Sequence, residues 1–234
     1  METLDQRYLH LDRVDGEVKA EFIRKTYTHV AGAVFLFMLL EAFLLSLPGV
    51  QDFAMGMVRS GGTWLLVLGG FMLLSNMAHN MGTQTHDKTK QYLGLGLYVV
   101  LYAIIFLPLI MFAMIKGAGP SIINQAAIVT LGLFGGLTAI VFTTGKDFSF
   151  LRSAIVLGSF IAIGLIVAGV LFNFNLGLWF SVAMVALSGA TILYQTSQID
   201  RNYTSDQHVA AAMGIFGSLM LMFWYVLQIF MSRD

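Results

Sequence analysis

Glu41 is the one acidic side chain placed well inside an apolar run of this sequence. An ionisable group at membrane depth costs a few kcal/mol and reads as a functional site by default. No lysine or arginine lies at matching depth. The carboxyl is therefore protonated, bonded to a tyrosine or asparagine of a neighbouring helix, or, if the first span starts later, turned to water near the outer surface. Two polar stripes at helical spacing are the other chemically capable features. One runs through Ser181, Ser188, Thr191, Gln195 and Gln198, the other through Ala211, Gly214, Ser218, Tyr225 and Gln228. Residues three, four and seven apart share a helix face, and such faces turn to protein or water rather than lipid. They serve as interhelical hydrogen-bonding glue or as the lining of a water-filled or ion-conducting path. On the second reading, Gln195, Ser218, Thr191 and Ser188 are the candidate pore and gate residues.

Other chemistries lack their parts. There is no cysteine, hence no thiolate metal site, no disulfide and no cysteine nucleophile. Of the five histidines, His10 and His86 fall in a tail and a loop, and His29, His79 and His208 at helix ends. No serine–histidine pair at depth and no cluster of metal ligands emerges. The last apolar run holds no lysine for a retinal Schiff base. The expectation is a protein that is not an enzyme, with no resident metal or cofactor. Formal net charge is zero, which offers no basic footprint for nucleic acid.

The elements that must carry these residues are membrane spans. The 234-residue chain is 57% hydrophobic and 11% charged, where a soluble domain carries roughly 25% charge. About 20 apolar residues cross the hydrocarbon, and seven runs suffice, at about 29–49, 62–82, 92–115, 122–144, 153–172, 177–198 and 208–231. The fold class is thus an all-α integral membrane protein: a cytoplasmic tail over 1–28, read as preceding an uncleaved first span, and a seven-helix domain over 29–234. Lysine and arginine set its orientation. Arg7, Arg13, Lys19, Arg24, Lys25, Lys88, Lys90, Lys146, Arg152 and Arg201 fall on one side, and Arg59, Lys116 and Arg233 on the other. This puts the N-terminus in the cytoplasm and the C-terminus outside. Between spans four and five, Gly145 suits a left-handed helix end and Lys146 the negative end of the dipole, while Asp147 or Ser149 can cap the next helix. The glycines along the spans read as packing contacts, among them Gly69, Gly94, Gly132, Gly135, Gly136 and Gly158. Asn76 and His79, one turn apart, and Tyr98 and Tyr102 mark seams on spans two and three.

Several stretches together resemble the Bax inhibitor-1 family, also called the transmembrane Bax inhibitor motif proteins, and its bacterial YccA-like branch. They are Phe142-Thr143-Thr144-Gly145-Lys146-Asp147-Phe148-Ser149-Phe150-Leu151, Ile192-Leu193-Tyr194-Gln195-Thr196-Ser197-Gln198-Ile199, the C-terminal Leu227-Gln228-Ile229-Phe230-Met231-Ser232-Arg233-Asp234, and Arg24-Lys25-Thr26-Tyr27 leading into span one. The resemblance implies a last helix surrounded by the other six. It also implies two activities: a pH-sensitive calcium leak and, for YccA-like members, restraint of an FtsH-type AAA+ membrane protease, a stress-related role. Calcium-leak members carry an aspartate near the end of span six and another in span seven, a pair that shares a proton and titrates as a switch. In an ungapped alignment those positions are Gln195 and Ser218 here, and neither titrates. The expectation is a regulator that modulates such a protease or, alternatively, a passive calcium or cation leak without the aspartate sensor. Its implied partners are the bilayer, the protease and calcium as transported ion, and its place is the bacterial inner membrane.

Overall fold

The computed structural model describes residues 15–83, 87–115 and 119–232. Among these the regular structure is all helix: α1 Gly16–Ser46, α2 Val50–Met57, α3 Gly61–Thr83, α4 Lys88–Ile115, α5 Gly119–Thr144, α6 Leu151–Leu171, α7 Gly177–Ser197, α8 Ile199–Asn202 and α9 His208–Met231. Seven of them, all but α2 and α8, are long and apolar enough to cross a membrane. The predicted spans map onto these seven in order. Of the residues named for orientation, Arg7, Arg13, Lys116 and Arg233 lie outside the described residues, as do His10, His86 and tail residues 1–14.

Two boundaries differ from the sequence reading. Helix α1 begins at Gly16, inside the stretch assigned to the tail. Its buried residues Phe22, Thr26, Val30, Ala33, Phe37 and Glu41 recur every three or four positions, so one apolar stripe continues through the charged segment and holds it helical. Helix α2 fills the stretch between spans one and two. It packs Ala54 and Met57 inward and leaves Phe53 exposed, as an eight-residue amphipathic helix does.

Helix α9 is the axis of the bundle. Of its apolar stretch 83% is buried, against 56% for α4, the next most buried. It packs against α1, α3, α4, α5 and α7, while α6 packs against α7 and α3. The expected ring of six therefore has five principal members, with α6 set outside on α7. Phe106 of α4 anchors the core. It stacks on Phe223, meets Trp224 edge-on and takes Phe37 of α1 edge-on at 5.2 Å, geometries that add to area burial. Helices α3 and α4 approach until their backbones nearly touch: a Cβ on Gly94 would lie 2.7 Å from the Ala78 carbonyl oxygen, the small-residue contact typical of membrane helices. Gly69, Gly132, Gly135 and Gly136 do not follow the expectation for the glycines. Among the described residues nothing lies within 4 Å of a Cβ built on any of the four, and the last three form an exposed face of α5.

Candidate functional site

The α7 and α9 stripes meet, and they do so through side-chain hydrogen bonds. Ser181 donates to Oε1 of Gln228 at 3.2 Å. About three to four turns away towards the other end of the pair, Ser218 donates to Oε1 of Gln195 at 2.9 Å. The Ser218 hydroxyl also lies 3.2 Å from the Gly214 carbonyl in its own helix. It holds one proton, so it can close the interhelical bond or release it by turning to Gly214. The other two candidate gate residues are occupied locally. Ser188 donates to the Val185 carbonyl and Thr191 to the Leu187 carbonyl, both within α7.

The Gln195–Ser218 pair lies on the wall of a cavity of about 400 Å³. Met72, Ser75, Asn76 and His79 of α3 face it, with Tyr98 and Tyr102 of α4 and Gly214, Gly217 and Leu221 of α9. Ser188 and Thr191 do not line it. The seams read separately on spans two and three thus converge on the predicted gate. The tyrosines are held by close packing. The Tyr98 and Tyr102 hydroxyls lie 3.5 Å apart, and Tyr102 donates to the Gly217 carbonyl at 3.4 Å. A Cβ on Gly217 would lie 2.5 Å from the Tyr98 hydroxyl, so only glycine lets both phenols reach α9. Tyr203, in the loop before α9, is pushed up to about 12 by burial and the neighbouring phenols, and it stays neutral at physiological pH. The polar side chains lining the cavity are hydroxyls and amides with one imidazole, beside Met72 and Leu221.

Glu41 belongs to a different place. It is buried, at 5% exposure, one turn beyond Phe37 on the face of α1 turned inward. Both its carboxylate oxygens are buried with no hydrogen-bond partner among the described residues. This overturns the water-facing and the tyrosine- or asparagine-bonded readings. An ionised form would carry the cost of an unpaired buried charge.

The turn of Lys146, Asp147 and Ser149 is a clamp rather than a cap. Gly145 adopts the expected left-handed conformation, φ 60°. Helix α6 starts at Leu151 with no side-chain cap, so the capping role expected of Asp147 or Ser149 is not found. The Asp147 carboxylate instead accepts from the Ser149 backbone N–H at 2.8 Å, from Gln198 at 2.7 Å and from Arg201 at 2.6 Å. Phe148 N–H donates to Ser197 Oγ at 3.2 Å. The α5–α6 turn is thereby tied to the α7–α8 junction. The Ser149 N–H first, and then Arg201, hold the Asp147 carboxyl below the usual carboxylate range. Lys146 is exposed beside it.

A seven-span helical bundle around a central last helix, with a polar cavity where spans two, three, six and seven meet, defines a multi-pass membrane protein of the Bax inhibitor type. Residues 19–234 match the family described as inhibitor of apoptosis-promoting Bax1, and the chain belongs to the Bax inhibitor-1 family. A BI1-like protein of Arabidopsis thaliana is 27% identical over 97% of this chain and 86% of its own length. An uncharacterized protein of Pseudomonas aeruginosa is 38% identical over 48% of this chain and 50% of its own length. An uncharacterized membrane protein of Vibrio cholerae is 30% identical over 52% and 55% respectively. The chain spans about half the length of these two bacterial relatives.

Proposed function

We propose that this chain is a passive cation leak, calcium being the ion its family resemblance implies, closed by a neutral hydrogen bond instead of a shared proton. The observation that carries this reading is the 2.9 Å bond from Ser218 to Gln195 on the wall of the polar cavity. Hydroxyls, side-chain amides and the Gly217 carbonyl surround that bond, and neutral oxygens of this kind can replace part of an ion's hydration shell. The hydroxyl's alternative acceptor at Gly214 provides an opening movement that needs no change of protonation.

Calcium flux into liposomes holding the purified protein tests it. The native chain is compared with the Gln195→Asp/Ser218→Asp variant at about pH 6 and about pH 8, on either side of the range where a coupled carboxylate pair titrates. The reading expects native flux with little pH dependence from this pair, and flux suppressed at the lower pH in the variant. No native flux, with flux in the variant, would sink it.

One observation favours a second reading, in which the chain is a stress-related modulator of an FtsH-type membrane protease in a bacterial inner membrane. Among the described residues no carboxylate lines the cavity, so none of them concentrates divalent cations there. The handle for such a partner is the segment preceding α1. Deleting residues 1–14 stops short of Gly16, where α1 begins. It should abolish co-purification of the protease while leaving any flux unchanged. Undiminished co-purification would remove the tail from this reading.

A further inference from the structure

A second concavity, unconnected with the gate, lies between α1 and α4. It is a groove of about 380 Å³ with Thr28, His29, Gly32 and Leu36 on one side and Tyr92, Leu95, Gly96 and Val99 on the other. Gly32 and Gly96 open it, since nothing lies within 4 Å of a Cβ built on either. Its length is apolar and its polarity sits at one end. There His29 Nδ1 donates to the Lys25 carbonyl at 2.7 Å, because a carbonyl only accepts, and the other ring nitrogen meets the Tyr92 hydroxyl at 3.0 Å.

The sequence puts a lysine one turn beyond each member of that polar pair: Lys25 before His29 on α1, and Lys88 before Tyr92 on α4. Residues four apart share a face. Both ammonium groups and the Asp206 carboxylate act electrostatically on His208, whose ring lies 5.0 Å from that of His29, so the two lysines share this mouth with one carboxylate. Glu21 pairs with Lys25 at 2.6 Å; Lys88 adds a second positive charge at the mouth. We infer that the α1–α4 groove binds an anionic phospholipid, with an acyl chain along the Gly32–Gly96 slot and the headgroup phosphate between Lys25 and Lys88.

Shape and charge both select this occupant. A transmembrane helix is about 10 Å across with its side chains and would rest on the rims of such a slot. A hydrocarbon chain can follow it. Basic pockets between membrane helices favour anionic headgroups, and each lysine near the surface contributes attraction that a zwitterionic lipid does not return.

Native mass spectrometry of the intact chain, released from detergent containing equal phosphatidylglycerol and phosphatidylcholine of matched acyl chains, tests the site. Phosphatidylglycerol should be retained preferentially. Lys25→Gln and Lys88→Gln should each lower that preference about fivefold. Gly96→Leu, which fills open space, should remove lipid retention while thermal unfolding stays cooperative. Gly32→Leu fills the facing wall and serves the same purpose should Gly96→Leu not fold, and the lysine variants change exposed side chains only. Equal retention of the two lipids would overturn the inference, as would unchanged retention when the slot is filled. A dimer lost on filling the slot would overturn it too, by showing that a second copy occupies the groove.

Discussion

Gly217 carries more of the site than any polar residue the sequence singles out. With Tyr98 and Tyr102 pressed against it, a single methyl must displace a phenol. Overpacking of this kind costs about 1–3 kcal/mol. Gly217→Ala is therefore expected to lower stability by about that amount, read from reversible unfolding in mixed micelles. Tyr98→Phe in the same background removes the atom at 2.5 Å and should recover about 0.5 kcal/mol or more, the size of coupling seen between residues in contact. Additive effects would mean that the clash is relieved elsewhere. Gln195 and Ser218 are legible in the sequence because a stripe and a motif both mark them. Ser188 and Thr191 satisfy the same stripe yet donate to their own helix, a local option open to any helical serine or threonine. Gly217 and His79 acquire their roles only when α3, α4 and α9 are brought together, and spacing along one helix does not encode which helices meet.

The elements were legible where hydropathy alone decides them. All seven long helices appear in their predicted order, because each needs only enough apolar residues. The start of α1 was not, since its stripe of Phe22, Thr26 and Val30 runs among charges that lower the average without breaking the period. The α5–α6 turn shows the same limit: Asp147 is a good cap by type, but Gln198 and Arg201 compete for it from another element. That competition has a pH signature. The Asp147 carboxyl is held below its usual range, so the clamp contributes stability above the ordinary carboxylate value of about 4. The contribution is lost as pH falls through the lowered folded-state value. Half-exposure of the pair keeps it modest. Thermal midpoints of the native chain and of Asp147→Asn should differ at about pH 6, and the gap should narrow progressively as pH falls below the ordinary carboxylate value of about 4. A constant gap across that range would mean that the charge is irrelevant and only the hydrogen-bond geometry matters.

At the scale of the whole molecule, the described lysines and arginines other than Arg59 gather at one end of the bundle. The ends of α5 and α7 and the starts of α1, α4, α6 and α9 meet there, as the Asp147–Arg201, His29–Tyr92 and Gln207–Thr83 contacts require. Exposed Lys88, Lys90, Lys146, Arg152 and Arg201 flank these junctions. Because lysine and arginine are retained on the cytoplasmic side, this end should face the cytoplasm, with the α6–α7 turn outside. The chain has no cysteine, so single introduced thiols report without background. Asn202 in α8 and Asn175 in the α6–α7 turn are exposed at opposite ends, and replacing either leaves the positive residues in place. In intact cells a membrane-impermeant maleimide should label Asn175→Cys and spare Asn202→Cys until the membrane is opened. The reverse pattern would invert the orientation. It would put the α1–α4 lysines and the segment before α1 on the outer side, away from a cytoplasmic protease, and leave the leak as the reading that needs no such partner.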